Sequence, residues 1–342
     1  MIPSPQPIVI PDAPPIPTLH FRHYRGPDDL PALAAVYAAL ADAGQLEYEV
    51  SVEWLANYFD HEVNLDPYAD IALAEIDGQV AGLSRCYWAE EVAGPRQYQF
   101  NLLVTPAWQG RGISRALLHW AENRLRHTAA THPPEPPKLL QFWLPHGLAR
   151  LRPLLESAGY TPARYSNNMV RPSLDDIPDF PLPPGLEVRP ARPEHYRRIW
   201  DAQIEAFQDH WGFLQHPEED YQMWLNDPIY FQPALWQVAW DVATDEVAGM
   251  VLTFIDAAEN ERWGRRRGYT EGISVRRPWR RRGLARALIA HSLRAQRDVG
   301  MTESALGVDS ESLTGATRVY EDCGFLTVTV DMLYRKPLES SS

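Results

Sequence analysis

The sequence predicts a mixed α/β chain built as two tandem copies of one unit, each a mixed, largely antiparallel sheet flanked by helices. Three observations predict it. Apolar spacing switches between strand period and helix period in the same order in both halves. Three landmarks recur in that order at nearly one offset. Gln79-Val80-Ala81-Gly82 corresponds to Glu246-Val247-Ala248-Gly249, Gly112 to Gly283, and Gly159-Tyr160 to Gly324-Phe325, lying 167, 171 and 165 positions apart. Finally, each half holds a strand that runs through a glycine-bearing turn into a helix.

In chain order, residues 1–18 form a proline-rich arm, with prolines at 3, 5, 7, 11, 14, 15 and 17. That composition favours extended or disordered chain, while Ile8, Val9 and Ile10 leave packing on a neighbour open. The first domain, residues 19–171, begins with a strand at Leu19–Tyr24. A helix over Asp28–Ala43 follows, with Leu30, Leu33, Val36 and Leu40 on one face. Ser51 is placed to cap a second helix. Asp77-Gly78 turns a hairpin between Ile71–Glu75 and Val80–Ala89. A strand at Tyr98–Val104 leads through Gln109-Gly110-Arg111-Gly112-Ile113-Ser114 into a helix, and a strand at Leu139–Leu144 and a short helix follow.

The stretch 172–184, with five prolines, reads as the linker. The second domain, 185–338, repeats the order. It has a strand at Leu186–Arg189, a helix at Pro193–Phe207, another at Glu218–Leu225, and a hairpin around Thr244-Asp245. Then come a strand at Tyr269–Val275, a helix to about Arg297, a strand at Ser304–Val308, a helix at Leu313–Asp322 and a last strand at Leu326–Leu333.

The stretch Glu271–Ala290 carries the chemistry. Glu271, Ile273 and Val275 alternate at strand period, which predicts one shared face. Pro278 prevents an earlier helix start, and Gly283 lets the backbone approach a ligand closely. A loop of free N–H groups opening into a helix N-terminus is an anion site, and a diphosphate is a natural guest. Arg276, Arg277, Arg280, Arg281 and Arg282 add positive charge. No Gly-Lys-Ser/Thr follows, so this is not a P-loop, and the dinucleotide G-x-G-x-x-G spacing is absent.

Composition bounds the rest. A chain of 342 residues is too long for one ordinary core and suits two domains. The net charge of −13 argues against a general nucleic-acid-binding face. Two cysteines, Cys86 and Cys323, argue for a reducing compartment, and Cys323 reads as a packed core residue. With no secretory pattern and no span of bilayer length, a cytoplasmic protein away from membranes is expected. Eleven histidines lack metal-ligand spacing, so no metal is assigned.

The turn Arg280-Arg281-Arg282-Gly283-Leu284-Ala285, with Val275 on a strand five residues before it, resembles motif A of the GNAT N-acetyltransferase superfamily, Gln/Arg-x-x-Gly-x-Gly/Ala. The element order of both halves fits that fold. The tandem arrangement resembles the mycothiol synthase-like proteins. The resemblance implies acetyl-CoA as donor, held by Ile273, Ser274, Val275, Arg280, Arg281, Arg282, Gly283, Leu284, Ala285 and Arg286. The Val275 N–H would polarise the acetyl carbonyl. It implies Glu271 as general base, directly or through water, and Tyr320 as general acid. Ser312 stands where many relatives carry Asn.

In the first half Phe100 and Leu155 stand opposite Glu271 and Tyr320. Neither transfers protons, so this domain is expected to be catalytically silent. It either holds a second CoA, through Val104, Gln109, Gly110, Arg111, Gly112 and Ser114, or only shapes the acceptor cleft. Asp209-His210-Trp211-Gly212 lies where an acceptor cleft is usually lined, and for His210 and Trp211 a contact role and a structural one both stay open.

The expected function is acetyl transfer to the primary amine of a small acceptor, by direct attack in a ternary complex. An acidic chain favours cationic acceptors such as amino sugars or polyamines. A CoA-binding sensor or assembly module and a protein or peptide N-acetyltransferase are the alternatives. Acceptor identity and oligomeric state are not legible.

Overall fold

The structure is a computed structural model that describes residues 7–48, 50–311 and 315–338. Ser312 and the expected helix start at Leu313 lie outside them. Two compact units are resolved: Met1–Ala163 with Asp331–Ser342, and Arg164–Val330.

The first unit runs β1 (His20–His23), α1 (Leu30–Asp42), α2 (Val52–His61), α3 (Pro67–Asp70), β2 (Ile71–Ile76), β3 (Gln79–Glu90), β4 (Arg96–Phe100), β5 (Leu103–Val104), α4 (Ile113–Ala130), β6 (Lys138–Leu144) and α5 (Arg152–Ser157), then enters β7 (Thr161–Arg171). The expected apolar face of α1 is buried, and Ser51 caps α2 by accepting the Trp54 N–H at 3.0 Å. Asp77 and Gly78 are both left-handed, as a two-residue hairpin of that type requires. Strands β1, β2, β3 and β4 pair antiparallel in sequence, and β4 pairs parallel with β6. Residues 7–18 are not loose: the Ile8 N–H donates to the Phe21 carbonyl at 3.0 Å and Ile10 is buried in the core, while Val9 is exposed.

The second unit runs β8 (Leu186–Arg189), α6 (Tyr196–Phe207), α7 (Glu218–Leu225), β9 (Gln237–Asp241), β10 (Val247–Val251), α8 (Ala257–Trp263), β11 (Arg267–Tyr269), β12 (Ser274–Val275), α9 (Leu284–Asp298), β13 (Glu303–Asp309) and α10 (Ala316–Asp322), then enters β14 (Leu326–Pro337). The sequence reading omits α8, although Asp256 caps it and left-handed Gly264 ends it.

The expected single strand Tyr269–Val275 is broken. Gly272 has φ +58° and interrupts the pleat, so Glu271 does not share a face with Ile273 and Val275 by simple alternation. On one side of the break β11 pairs parallel with β13; on the other β12 pairs antiparallel with β10. The first unit repeats this: β4 pairs with β6, and after Asn101 and Leu102, β5 pairs with β3.

The unit boundaries also differ from the expected 19–171 and 185–338. Asp331–Ser342 belongs to the first unit, because Met332–Pro337 pairs antiparallel with Leu139–Leu144. Residues from Arg164 belong to the second, because Ser166–Arg171 pairs with Ser304–Asp309. The proline-rich stretch is not a free linker. Leu174 is buried and donates its N–H to Thr302, and Ile177, Phe180 and Leu182 pack on the second unit's core. Among the described residues no helix is long and apolar enough to cross a membrane.

A chain ending at Val330 is expected to lose slow amide exchange at 138–144 while keeping it at 303–309. Hydrogen exchange measures this, and retained protection at 138–144 would contradict the pairing.

Candidate active site

The site is assembled where β12 leaves β13. The last backbone rung there is the Thr270 N–H donating to Ala305 at 2.9 Å. A continuing parallel ladder would pair the Gly307 N–H with the opposite backbone. Instead it donates to Oε1 of Glu271 at 2.7 Å. Burial pushes the Glu271 carboxyl up to about 7, and the hydrogen bond from Gly307 only partly opposes this.

Beyond β12 the chain turns through Arg281, left-handed at φ +61°, and Gly283, at φ +87°, into α9. No side chain caps this helix start. Among the described residues, the N–H groups of Arg281 to Arg286 have no backbone acceptor. All of these residues except Arg282 line a cavity of about 540 Å³. Ile273, Ser274, Val275, Arg280, Arg281, Gly283, Leu284, Ala285 and Arg286 line it. Opposite them stand Ala316, Val319 and Tyr320 of α10, and the turn after α6 adds Ala206, Asp209 and His210. Arg282 is exposed and Glu271 half-buried, and neither is among the lining residues.

Tyr320 is buried, and its hydroxyl is pushed well above the ordinary range, first by desolvation and then by the Glu271 charge. The two expected proton-handling groups are therefore within electrostatic reach of each other. Cys323 is buried with its thiol pushed up to about 11, which removes it as a thiolate nucleophile near neutral pH.

The arginine run divides by role. Arg276 pairs with Glu205 and donates to the Val247 carbonyl; Arg286 pairs with Asp322. Arg280 donates Nε to Val275 O at 2.8 Å, Nη2 to Ala206 O at 3.0 Å and Nη1 to Asp209 at 2.5 Å. Arg277 holds the other side of Asp209, whose carboxyl falls well below the usual carboxylate range through Arg277 first and Arg280 next. Arg281 and Arg282 are exposed and form no ion pair with a described residue. In the cavity an anion would thus meet the amides and the Arg281 side chain, with Arg282 outside the lining.

The sequence reading includes Asp209 in the stretch where an acceptor cleft is usually lined but gives it no role; its tie to Arg280 appears only once the turn after α6 is seen against Arg280. His210 reaches the cavity, packs edge-on to Phe207 at 4.5 Å, and is held toward the neutral form by desolvation. Trp211 is outside the lining and lies under the Arg164 guanidinium at 5.0 Å.

In the first unit the corresponding turn keeps its shape, with Gly110 and Gly112 left-handed. Gln109 replaces Arg280 and donates to the Val104 carbonyl at 2.8 Å. Arg111 lies over the Trp108 ring at 4.8 Å. Phe100 packs in the core against Phe142 and Tyr160, and Leu155 is fully buried.

Duplicated sheets with a parted strand, and one donor-lined cavity beside a raised carboxyl and a buried tyrosine, define a transferase of the acyl-donor-binding class. The chain belongs to the acetyltransferase (GNAT) family, whose model matches residues 33–132 and 196–325. It is an N-acetyltransferase. It is 29% identical to a mycothiol acetyltransferase of Streptomyces bingchenggensis, over 76% of this chain and 79% of that one. It is 32% identical to one of Salinispora tropica, over 69% and 72%. Among solved structures it is similar to a GCN5-related N-acetyltransferase from Sphaerobacter thermophilus. That match has a TM-score of 0.68 and 27% identity, covering 94% of this chain and 96% of that one. A tandem GNAT protein from the clavulanic acid biosynthesis pathway shares the fold at TM-score 0.68 and 16% identity, covering 95% of this chain and all of that one.

Asp209→Asn is expected to speed amide exchange at 207–213 and 276–283, leaving 138–144 unchanged. Unaltered exchange in both segments would show that the carboxylate does not hold the two turns together.

Proposed function

We propose that the second unit transfers an acetyl group from acetyl-CoA to the primary amine of a small-molecule acceptor, by direct attack in a ternary complex. The observation that carries this is the Glu271 carboxyl. It is raised to about 7 at the parting of β11 and β12, beside Tyr320 and the donor-lined cavity. A base poised near the working pH accepts a proton from an ammonium and returns it cheaply.

The amides of Arg281 to Arg286 would hold the diphosphate, with Arg281 and Arg282 as outlying cations. The Val275 N–H would meet the oxygen on which charge develops. Glu271, directly or through one water, would take the amine proton. A thiol ordinarily titrates near 8.5. Tyr320, held far above that, would stay protonated and donate a hydrogen bond to the departing sulfur, so that the transferred proton comes from the amine. The raised carboxyl and tyrosine weigh against a CoA sensor, which needs neither. The name carried by the relatives favours a small acceptor over a protein.

With a base titrating near 7, kcat/KM rises with pH through that value. Glu271→Gln should abolish this limb and lower kcat by roughly 10²- to 10⁴-fold, while Tyr320→Phe lowers kcat at unchanged donor KM. Thiol release over a pH series with a panel of amines measures both, and a surviving limb in Glu271→Gln would remove Glu271 as the base.

The same shift sets a stability change. Glu271 loses its proton near 4.5 when unshifted and near 7 in the fold. Between these values the unfolded chain deprotonates first, so stability falls as pH rises. Glu271→Gln should therefore have the higher Tm at pH 8.

Arg281 carries a left-handed backbone that costs a non-glycine residue about 1–2 kcal/mol. Arg281→Gly should leave Tm undiminished and raise the donor KM several-fold at constant kcat. An unchanged KM would mean that this cation does not help to bind the donor.

A further inference from the structure

We infer that the first unit's donor site is filled by the chain's own segments, so that each chain takes up one CoA and not two. This rests on the reading that a diphosphate-bearing donor binds the glycine turn.

Two segments fill the site. The first is the N-terminal arm. Gly112 and Gly283 are equivalent helix caps with nearly equal φ, +91° and +87°. A Cβ built on Gly283 would meet nothing within 4 Å, whereas one on Gly112 would stand 3.1 Å from Cβ of Pro14. Pro14 thus occupies the space directly over the turn where a diphosphate would sit. The arm is anchored on both sides of it. Asp12 pairs with His119 of α4 at 3.2 Å, Ile10 is buried, and the Ile8 N–H is bonded to Phe21.

The second segment is the turn after α1. β5 and β6 part as β12 and β13 do, and in the second unit that parting opens onto the cavity. In the first unit Gln45 spans it. The Gln45 side chain exchanges two hydrogen bonds with Gln109, at 3.2 and 2.8 Å, in the turn after β5. Its backbone carbonyl presses on Gly147, after β6, so closely that a Cβ there would lie 2.3 Å from it. Leu46 is buried in the core, and Glu47 pairs with His146 at 3.4 Å. A chain carrying a thioester between the parted strands would have to displace Gln45 and its neighbours.

Equilibrium titration of the full chain with CoA, followed by hydrogen exchange with and without saturating CoA, tests this. The expected result is one CoA per chain, with protection gained at 272–286. Segments 7–19 and 104–116 should exchange slowly without CoA and stay unchanged with it. Two CoA per chain, protection gained at 104–116, or exchange of 7–19 at unfolded-chain rates would each overturn the inference. Absence of any CoA uptake would count against the proposed donor; exchange of 7–19 in the free chain would then still decide the arm's seat.

Discussion

A strand that changes partners midway organises each unit. In the second unit the backbone is bonded toward β13 up to Thr270; toward β10 and the residues just after it, the Glu271 carbonyl accepts from the Leu252 N–H at 2.8 Å and pairing resumes at Ser274. Past Thr270 the β13 edge loses its backbone partner, which leaves the Gly307 N–H without a ladder acceptor. Glu271 solves this locally by accepting from Gly307. That one contact fixes the carboxyl at the parting, and desolvation there lifts its pKa. The cavity, the raised carboxyl and the exposed amides are therefore three results of one break in a sheet. The break also needs close approach on its other side. A Cβ on Gly249 would stand 2.7 Å from Ser274 O, and one on Gly82 would stand 2.7 Å from Leu103 O. The glycine shared by the repeated landmarks is thus explained by backbone contact.

Charge around the turn is used less for a ligand than the arginine run suggests. Exposed ion pairs contribute little to stability, typically below about 1 kcal/mol. What Arg280 supplies is geometry, because its fork joins the end of β12, the end of α6 and Asp209 at once. In the first unit two neutral amides, Gln45 and Gln109, make the corresponding tie. The duplicated turn has kept the connection while exchanging an ion pair for an amide pair. Under the proposed function, anion binding would then fall to backbone N–H groups, which no substitution other than proline removes.

What was legible in the sequence follows from range. Helix faces such as Leu30, Leu33, Val36 and Leu40, the Ser51 cap and the Asp77-Gly78 hairpin are set by neighbours within a few residues, and the structure has them. The duplication was legible because glycine positions with left-handed φ or close backbone approach tolerate few replacements. The broken strand was not, since Gly272 reads as an ordinary alternating position until its φ is known. The seating of Pro14 on Gly112, and of Met332–Pro337 beside β6, depends on contacts between distant parts of the chain. Hydrophobic period carries no information about which edge a strand will join. For the site, the structure brings the turn residues together, whereas Arg282 falls outside the lining and Asp209, read only as part of a cleft-lining stretch, gains its tie to Arg280 from a contact 71 residues away in sequence.

The two copies also differ in how they close. The second unit is continuous, Arg164–Val330, and holds all the groups proposed for proton transfer. The first is completed only when Asp331–Pro337 returns to pair with β6, so its sheet needs both ends of the chain. Its positions opposite Glu271 and Tyr320 are Phe100 and Leu155, which bury without any charge to desolvate. Apolar residues at these positions thus carry no cost of burying a charge, and Pro14 stands against Gly112 where nothing stands within 4 Å of a Cβ on Gly283. On the proposed reading the first copy contributes structure, and the open cavity in the second unit is where transfer would occur.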